Sequence, residues 1–151
     1  MGRRRVGVNT HDCGFTGSVL AYSPPMGVNP RGADLKRFLD QGIDGEVVMI
    51  NLLRFAKGGR EQYEAYAYAI EPFLLKVGGA ITYAGIASDA LVAEDGQAWD
   101  AVVIVRYPSR EAFSQMVADP GYQAITHLRT SALRETVLQP TTPWLSARAA
   151  G

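Results

Sequence analysis

The chain has 151 residues, of which 47% are hydrophobic and 20% are charged, which suits one globular domain with a hydrophobic core. Its 15 Lys and Arg residues balance its 15 Asp and Glu residues, so net charge gives no attraction to nucleic acid or an anionic membrane. Cys13 is the one cysteine, which excludes an intrachain disulfide. Residues 3–5 are arginines, but no apolar stretch of a signal or membrane segment follows them. We therefore expect a cytoplasmic protein without nucleic-acid or membrane partners.

Residues 1–28 are rich in Gly, Pro, Asn and Ser without a sustained period, which predicts an irregular N-terminal arm. Within the arm, residues 18–22 (SVLAY) are compatible with a short edge strand. A compact domain is predicted for residues 29–140, followed by a patternless tail at residues 141–151. The domain begins with a short helix in residues 29–42, in which one face carries Leu35, Phe38 and Leu39.

The first strand is predicted for residues 46–55, EVVMINLLRF. Strand alternation separates its side chains into two sets, Val48, Ile50 and Leu52 on one face and Val47, Met49, Asn51 and Leu53 on the other. Both sets are mostly apolar, so both faces of the strand should be covered.

The strongest helical pattern spans residues 58–79. Its inward positions are Tyr63, Tyr66, Ile70, either Phe73 or Leu74, and Val77, and the paired glycines 78 and 79 end it. Pro72 should kink this helix, because proline removes a backbone hydrogen bond and crowds the preceding turn.

A long, bent second strand is predicted for residues 80–93, and the Asp-Gly signal in residues 94–97 predicts a hairpin turn. The third strand follows at residues 98–108. Ser109 then caps a helix over residues 110–119. Asp119 and Pro120 begin another helix that runs to residue 134, and residues 135–140 form a fourth short strand.

The resulting order is β-α-β-β-α-β, which predicts an α+β, ferredoxin-like fold with an antiparallel four-stranded sheet. Helices cover only one face of such a sheet. The other face carries apolar residues of the third strand, either Val102 and Ile104 or Val103 and Val105. Because an exposed apolar sheet promotes aggregation, we expect a second copy of the chain to cover it.

Four segments of the sequence together resemble the DUF1330 family, whose members belong to the dimeric α+β barrel superfamily. They are VVMINLLRF (47–55), YEAYAYAIEPFLLKVGG (63–79), WDAVVIVRYPSREAFSQMVADPGYQ (99–123) and HLRTSALRETVL (127–138). The resemblance covers about residues 29–139 and implies a homodimer. It also implies an architecture similar to that of small cofactor-free oxygenases and isomerases, which hold aromatic or quinone-like substrates between sheet and helices.

Asn51 and Arg54 are the polar residues of the first strand. The Asn51 amide can orient a ligand carbonyl in a cavity, or it can satisfy a backbone group or a buried water. Arg54 lies near the strand end, where it can bind a carboxylate or enolate, or pair with a local acid or the dimer partner.

Three further candidates are Tyr66, Trp99 and Asp100. Tyr66 is either a core residue whose hydroxyl reaches solvent at the edge of the core, or a residue that contacts a ligand. Trp99 either packs in the core or at the dimer interface, or it stacks against the ring of a ligand. Asp100 is a partner for Arg54 or Arg129, or a base.

His127 and Arg129 lie on the last helix. His127 can supply an acid or base that titrates near neutral pH, although a lone helical histidine is more commonly a surface residue. Two distant histidines and one cysteine do not give metal-ligand spacing, so we predict no metal and no cofactor.

Two functions follow from this reading. The first is a dimer with a pocket for a small aromatic or acidic ligand, acting as a cofactor-free monooxygenase- or isomerase-like enzyme. The alternative is a non-catalytic ligand-binding or regulatory homodimer. The enzyme hypothesis requires that residues 51, 54, 66 and 129 converge on one cavity.

Overall fold

A computed structural model describes residues 27–145 of the chain. Eight elements follow one another: α1 (Gly32–Asp40), β1 (Val47–Phe55), α2 (Gly59–Lys76), β2 (Ala80–Ile86), β3 (Ala101–Tyr107), α3 (Arg110–Ala118), α4 (Pro120–Ala132) and β4 (Leu133–Thr141). Most of the predicted N-terminal arm, including Cys13 and the edge strand at residues 18–22, lies outside the described residues, as does the tail from residue 146. Within the described range, no helix is long and apolar enough to cross a membrane.

The four strands form one sheet in the order β2-β3-β1-β4, and every neighbouring pair is antiparallel. This order and the β-α-β-β-α-β connection, with α3 and α4 sharing the second helical position, confirm the α+β, ferredoxin-like prediction. The short helix α1 precedes this unit and packs on α3, where the rings of Phe38 and Phe113 lie 5.5 Å apart, edge to face.

The two faces of the sheet differ in burial. On β1, Val47, Met49, Asn51 and Leu53 are buried beneath the helices, whereas Val48, Ile50 and Leu52 on the opposite face are half-buried. The antiparallel register places Val103 beside Asn51 and Val105 beside Met49, so the β3 residues of the open face are Val102 and Ile104. The two-sided burial predicted for β1 is therefore complete on the helical face and partial on the other.

The predicted helix starts are confirmed. The Ser109 hydroxyl accepts a hydrogen bond from the Ala112 N–H at 3.0 Å, and the Asp119 carboxylate accepts one from the Gly121 N–H at 2.8 Å. Helix α2 continues through Pro72 for 18 residues, with Leu74 rather than Phe73 among its buried positions. The kink expected at Pro72 stays a prediction.

The second strand is shorter than predicted, ending at Ile86 rather than at residue 93. Residues 87–100 form an irregular connection, in which Leu91 and Val92 are 99% and 92% exposed. The predicted turn exists, because the Gln97 N–H donates to the Glu94 carbonyl at 3.1 Å, but it does not join two strands. The antiparallel pairing of β2 with β3 that the hairpin implied is confirmed. The predicted tight connection is wrong, because β2 ends at Ile86 and the turn lies within a longer connection.

The last helix and strand also shift. Helix α4 ends at Ala132, two residues earlier than predicted, and β4 extends from Leu133 to Thr141. The Ala132 carbonyl accepts a hydrogen bond from the Ala56 N–H at 2.9 Å, which fixes the end of α4 beside the end of β1. This contact sets the position of α4 above the sheet.

Candidate functional site

A cavity of about 260 Å³ lies between the helical face of the sheet and helices α2 and α4. We call it the central cavity. An apolar cavity of about 150 Å³ is enough to hold benzene, so the central cavity has room for a substituted aromatic ring. Its walls are formed mainly by Met49, Asn51, Leu53, Tyr63, Tyr66, Ile70, Leu74, Ala84, Ala101, Val103, Val105, Tyr107, Phe113, Met116, Tyr122 and Arg129.

The two ends of the central cavity differ in chemistry. Near the C-terminal ends of β1 and α4 it is lined by Phe55, Tyr63 and Arg129, and we call this the polar end. The far end, toward the start of β1, is lined by apolar or weakly polar side chains of three elements, Leu74, Tyr107, Phe113 and Met116. A ligand with one charged group and one apolar ring matches this arrangement.

Arg129 is the central feature of the polar end. It is only 4% exposed, although arginine is rarely buried. Its Nη1 donates to the Asn29 side-chain oxygen at 2.8 Å and to the Val28 carbonyl. Its Nη2 is buried and has no hydrogen-bond partner among the described residues. Within residues 27–145 the guanidinium therefore has a donor and a positive charge without a partner, and Arg129 is one of the residues that line the central cavity.

Tyr63 lies near enough to Arg129 to respond to its charge. Burial raises the pKa of the Tyr63 hydroxyl, and the positive charge of Arg129 partly opposes that rise. No hydrogen bond that meets normal geometry joins the two side chains among the described contacts, so Tyr63 does not satisfy the Arg129 Nη2 atom. The phenol stays neutral at physiological pH and cannot act as a counterion.

Tyr66 and Tyr122 form the middle of the central cavity. Both are buried, and their hydroxyl oxygens lie 3.0 Å apart in a hydrogen bond. Two hydroxyls carry two protons but share only one bond, and within residues 27–145 neither makes another hydrogen bond. One O–H donor is thus left for a molecule in the cavity. Burial, the first cause, raises the pKa of Tyr66 well above its ordinary value, so this donor stays protonated.

Asn51 lies on the sheet floor of the same cavity. Its side-chain nitrogen donates to the Val103 carbonyl at 3.2 Å, which is the backbone-satisfying role considered for it. Its oxygen accepts no hydrogen bond from the described residues and is a second polar group facing the cavity. The backbone-satisfying role is therefore confirmed for the nitrogen, and a ligand contact by the oxygen stays a prediction.

Arg54 does not line the central cavity. Its guanidinium pairs with the Glu135 carboxylate and donates to the carbonyls of Gly96 and Ala98 at 2.8 and 2.7 Å. It also lies over the half-buried Trp99 ring, 4.4 Å from the ring centre. The convergence required of residues 51, 54, 66 and 129 is therefore not met in full, because Arg54 lies outside the cavity that Asn51, Tyr66 and Arg129 line. Arg54 instead contacts residues 96–99 of the irregular connection after β2.

Asp100 and His127 are also outside the central cavity. Asp100 pairs with neither Arg54 nor Arg129, because its carboxylate accepts the Phe55 N–H at 2.8 Å, where the pairing of β1 with β4 shifts register. His127 is exposed, and its Nδ1 lies 3.0 Å from the Ala124 carbonyl one turn earlier. Residues 27–145 contain no cluster of His, Cys, Asp and Glu that could hold a metal ion.

The sequence reasoning missed Tyr122 as a site residue. Tyr122 precedes Arg129 by seven residues, which is two helical turns, so both lie on the same face of α4. That spacing would have identified it once Arg129 was considered as a cavity residue. Tyr107 was missed for another reason: it closes a strand of β-branched residues and reads as ordinary core.

The comparison with protein families gives one match, to a domain of unknown function, DUF1330, over residues 53–139. The chain belongs to the DUF1330 family. The match contains Tyr63, Tyr66, Tyr122 and Arg129, while Asn29 lies before it. No curated protein matches the chain significantly.

Solved structures show the same fold. Protein RPA0582 of Rhodopseudomonas palustris, of unknown function, is 27% identical with a TM-score of 0.68, covering 78% of this chain and 97% of that one. At3g17210 of Arabidopsis thaliana is 14% identical with a TM-score of 0.51, covering 68% and 99%. A dimeric ferredoxin-like protein of unknown function from Jannaschia is 8% identical with a TM-score of 0.51, covering 66% and 100%. The last two similarities concern the fold alone.

Proposed function

We propose that this DUF1330 protein binds a small organic anion with an aromatic ring in its central cavity. The observation that carries the proposal is the Arg129 guanidinium, 4% exposed, with Nη2 lacking a partner among the described residues. A buried charge without a counterion is costly to the folded protein, so a bound carboxylate or phenolate would satisfy it. Arginine suits this task because its planar donors match the two oxygens of a carboxylate.

The other groups of the cavity support the same ligand class. The spare hydroxyl proton of the Tyr66–Tyr122 pair offers a second donor, and the Asn51 oxygen offers an acceptor for a ring hydroxyl or amine. The apolar end matches a ring in size and polarity, because ligand sites combine apolar walls with a few placed polar groups. The cavity volume of about 260 Å³ limits the ligand to one or two rings.

The functional unit we propose is a homodimer that joins through the open face of the sheet. That face carries Val48, Ile50, Leu52, Val102 and Ile104, all half-buried, and Tyr83, which is 57% exposed. A continuous apolar surface of this kind marks an interaction site. The Jannaschia protein, which shares the fold, is itself described as dimeric.

Binding without catalysis is the function that the side chains of the cavity support best. The one carboxylate of its lining is Glu64, which is exposed at the rim and pairs with Arg60 at 3.3 Å. Histidine is not among the lining residues. The cavity floor thus offers donors for a bound anion but, among the described residues, neither a histidine nor a buried carboxylate.

A cofactor-free oxygenase- or isomerase-like activity is the second candidate. One observation favours it: Arg129 and the Tyr66–Tyr122 pair are buried donors held by other side chains and by backbone. Such donors stabilise negative charge that develops on an enolate or phenolate oxygen. The test is to incubate the protein with small hydroquinones and to measure the rates of oxygen uptake and product formation. Rates higher in the wild type than in an Arg129→Met variant would establish turnover and exclude a purely binding role.

Thermal shift with naphthoate tests the binding proposal, since a ligand that binds only the native state raises the melting temperature. Naphthoate should raise it for the wild type and for Arg134→Met, a matched loss of an exposed arginine outside the cavity. Arg129→Met should abolish the shift. A screen of aromatic acids that leaves the wild type unchanged, or an equal shift in Arg129→Met, would contradict the proposal.

The dimer has a separate test. Light scattering at micromolar concentration should give twice the chain mass of 16.3 kDa for the wild type. Ile104→Glu places a charge in the centre of the open face and should give the monomer, whereas Glu61→Gln on the exposed side of α2 should not. A monomeric wild type would refute the dimer without affecting the proposed ligand site.

A further inference from the structure

Asn29 is the residue from which we draw one further inference, and it rests on the proposed function. We infer that Asn29 is a positioning and specificity-determining residue for the anion. It holds the Arg129 guanidinium in place with a neutral acceptor and so leaves the positive charge for the ligand. Asn29 lies before the residues that match the family, so this contribution comes from a segment outside the match.

The contacts around Asn29 fix the guanidinium in one orientation. Its side-chain oxygen accepts from Arg129 Nη1 at 2.8 Å, and its side-chain nitrogen donates to the Thr130 hydroxyl at 2.9 Å. Because a guanidinium only donates, the amide oxygen must be the atom that faces Arg129. The Val28 carbonyl is the second acceptor for Nη1. Both acceptors therefore bond to Nη1. The other terminal nitrogen, Nη2, is buried and has no hydrogen-bond partner among the described residues.

Arg110 is equally buried and also donates to uncharged acceptors, the Phe38 carbonyl and the Gln41 side-chain oxygen. Arg129 differs because, among the described residues, its Nη2 is a buried donor without a partner. Seven side-chain ion pairs occur in the described residues, and none includes Arg129. Arg54, the other arginine of interest, has Glu135 as its counterion. At Arg129 both acceptors are uncharged, although an aspartate at position 29 would have nearly the same size and shape as the asparagine. An amide there keeps the guanidinium oriented without neutralising it.

The inference predicts losses of affinity of different size for two substitutions at one position. Asn29→Ala removes one of the two acceptors that orient Nη1 but adds no charge. Asn29→Asp keeps an acceptor in place and adds a carboxylate against the guanidinium, which competes with the ligand for its charge. If Asn29 only stabilised the fold, Asn29→Asp would bind the anion at least as well as Asn29→Ala, because it restores the contact.

Titration calorimetry with naphthoate on the full-length wild type and the two variants tests this. We expect affinity to fall on the order of threefold in Asn29→Ala and on the order of tenfold or more in Asn29→Asp, since a hydrogen bond to a charged group exceeds a neutral one in strength. The order wild type, Asn29→Ala, Asn29→Asp supports the inference. Asn29→Asp binding as tightly as Asn29→Ala overturns it.

The folded state of each variant is checked by its melting temperature. If Asn29→Asp does not fold, Asn29→Ala decides alone, because wild-type affinity in that variant would show that Asn29 does not position Arg129. The proposed function fails separately, when wild type does not bind aromatic acids or when Arg129→Met binds them equally well. A third outcome is that Arg129→Met loses binding while both Asn29 variants keep wild-type affinity. That outcome refutes the role of Asn29 and leaves the proposed function standing.

Discussion

Tyr66 of α2 and Tyr122 of α4 share one hydrogen bond, 3.0 Å between hydroxyl oxygens, in the buried middle of the central cavity. The bond links α2 to α4, which are also joined by the ion pair of Lys76 with the Asp119 cap. It therefore contributes to helix packing as well as to the proposed ligand site. Its energetic contribution can be separated from that of the rings by removing the oxygens one at a time.

Tyr66→Phe and Tyr122→Phe should each lower the free energy of unfolding by about 1–2 kcal/mol, because the remaining buried hydroxyl loses its partner. The double variant should cost less than the sum of the two, since it leaves no orphaned group. Urea unfolding measures all three. Tyr68→Phe on the same helix, at a side chain 78% exposed, is the control and should change stability by less than about 0.5 kcal/mol. Additive losses would contradict the shared bond.

The buried tyrosines predict a loss of stability at alkaline pH. Burial raises the pKa of Tyr66 well above its ordinary value of 10.0, and it raises the pKa values of Tyr63 and Tyr107 as well. The unfolded chain loses these protons first, so the stabilisation is complete below about pH 10 and is lost as pH rises toward the folded-state pKa values. Unfolding free energy measured from neutral pH to about pH 11 should fall less steeply in Tyr66→Phe. An identical slope in that variant would argue against a buried, neutral Tyr66.

Gly59 at the start of α2 allows α2 and α4 to approach closely. A Cβ there would lie 2.0 Å from the Ala132 carbonyl oxygen, which is part of the backbone and cannot rotate away. Gly59→Ala should therefore destabilise the protein by about 2–4 kcal/mol, measured by urea unfolding. Gly32→Ala at the first residue of α1 is the matched control, because nothing lies within 4 Å of its Cβ position. Equal stability of the two variants would contradict the contact.

Arg54 should control the order of residues 87–100. Arg54→Ala removes the hydrogen bonds to the carbonyls of Gly96 and Ala98 and the contact with Trp99. We expect faster proteolytic cleavage within residues 87–100, detected by mass spectrometry of the fragments. Glu135→Gln should have little effect, because the Glu135 side chain is 53% exposed and such ion pairs contribute less than about 1 kcal/mol. Unchanged cleavage in Arg54→Ala would show that other contacts hold this connection.

Local sequence patterns predicted the fold because they act at short range. The alternation of β1 placed Asn51 on the same face as Met49, and Ser109 and Asp119 marked two helix starts. The end of β2 could not be predicted in this way, since it depends on where a neighbouring strand stops. The homodimer and the cytoplasmic location stay predictions.

The site was only partly predictable from sequence. Asn51, Tyr66 and Arg129 were candidates and lie around the central cavity, but Arg54, Trp99, Asp100 and His127 do not. An arginine on a helix is ordinarily a surface residue, and the burial of Arg129 depends on Val28 and Asn29, about a hundred residues earlier in the chain. Contacts across that separation leave no local pattern in the sequence.

Within residues 27–145, strand β2 is hydrogen-bonded to the rest of the sheet along one edge, and it supplies Ile81, Ala84 and Ile86 to the wall of the central cavity. If the cavity holds the proposed ligand, entry by a small outward movement of this strand would leave the packing of α2, α4 and the sheet centre intact. The residence time of that ligand would then depend on how firmly β3 holds β2, whereas its affinity would depend on the charge of Arg129.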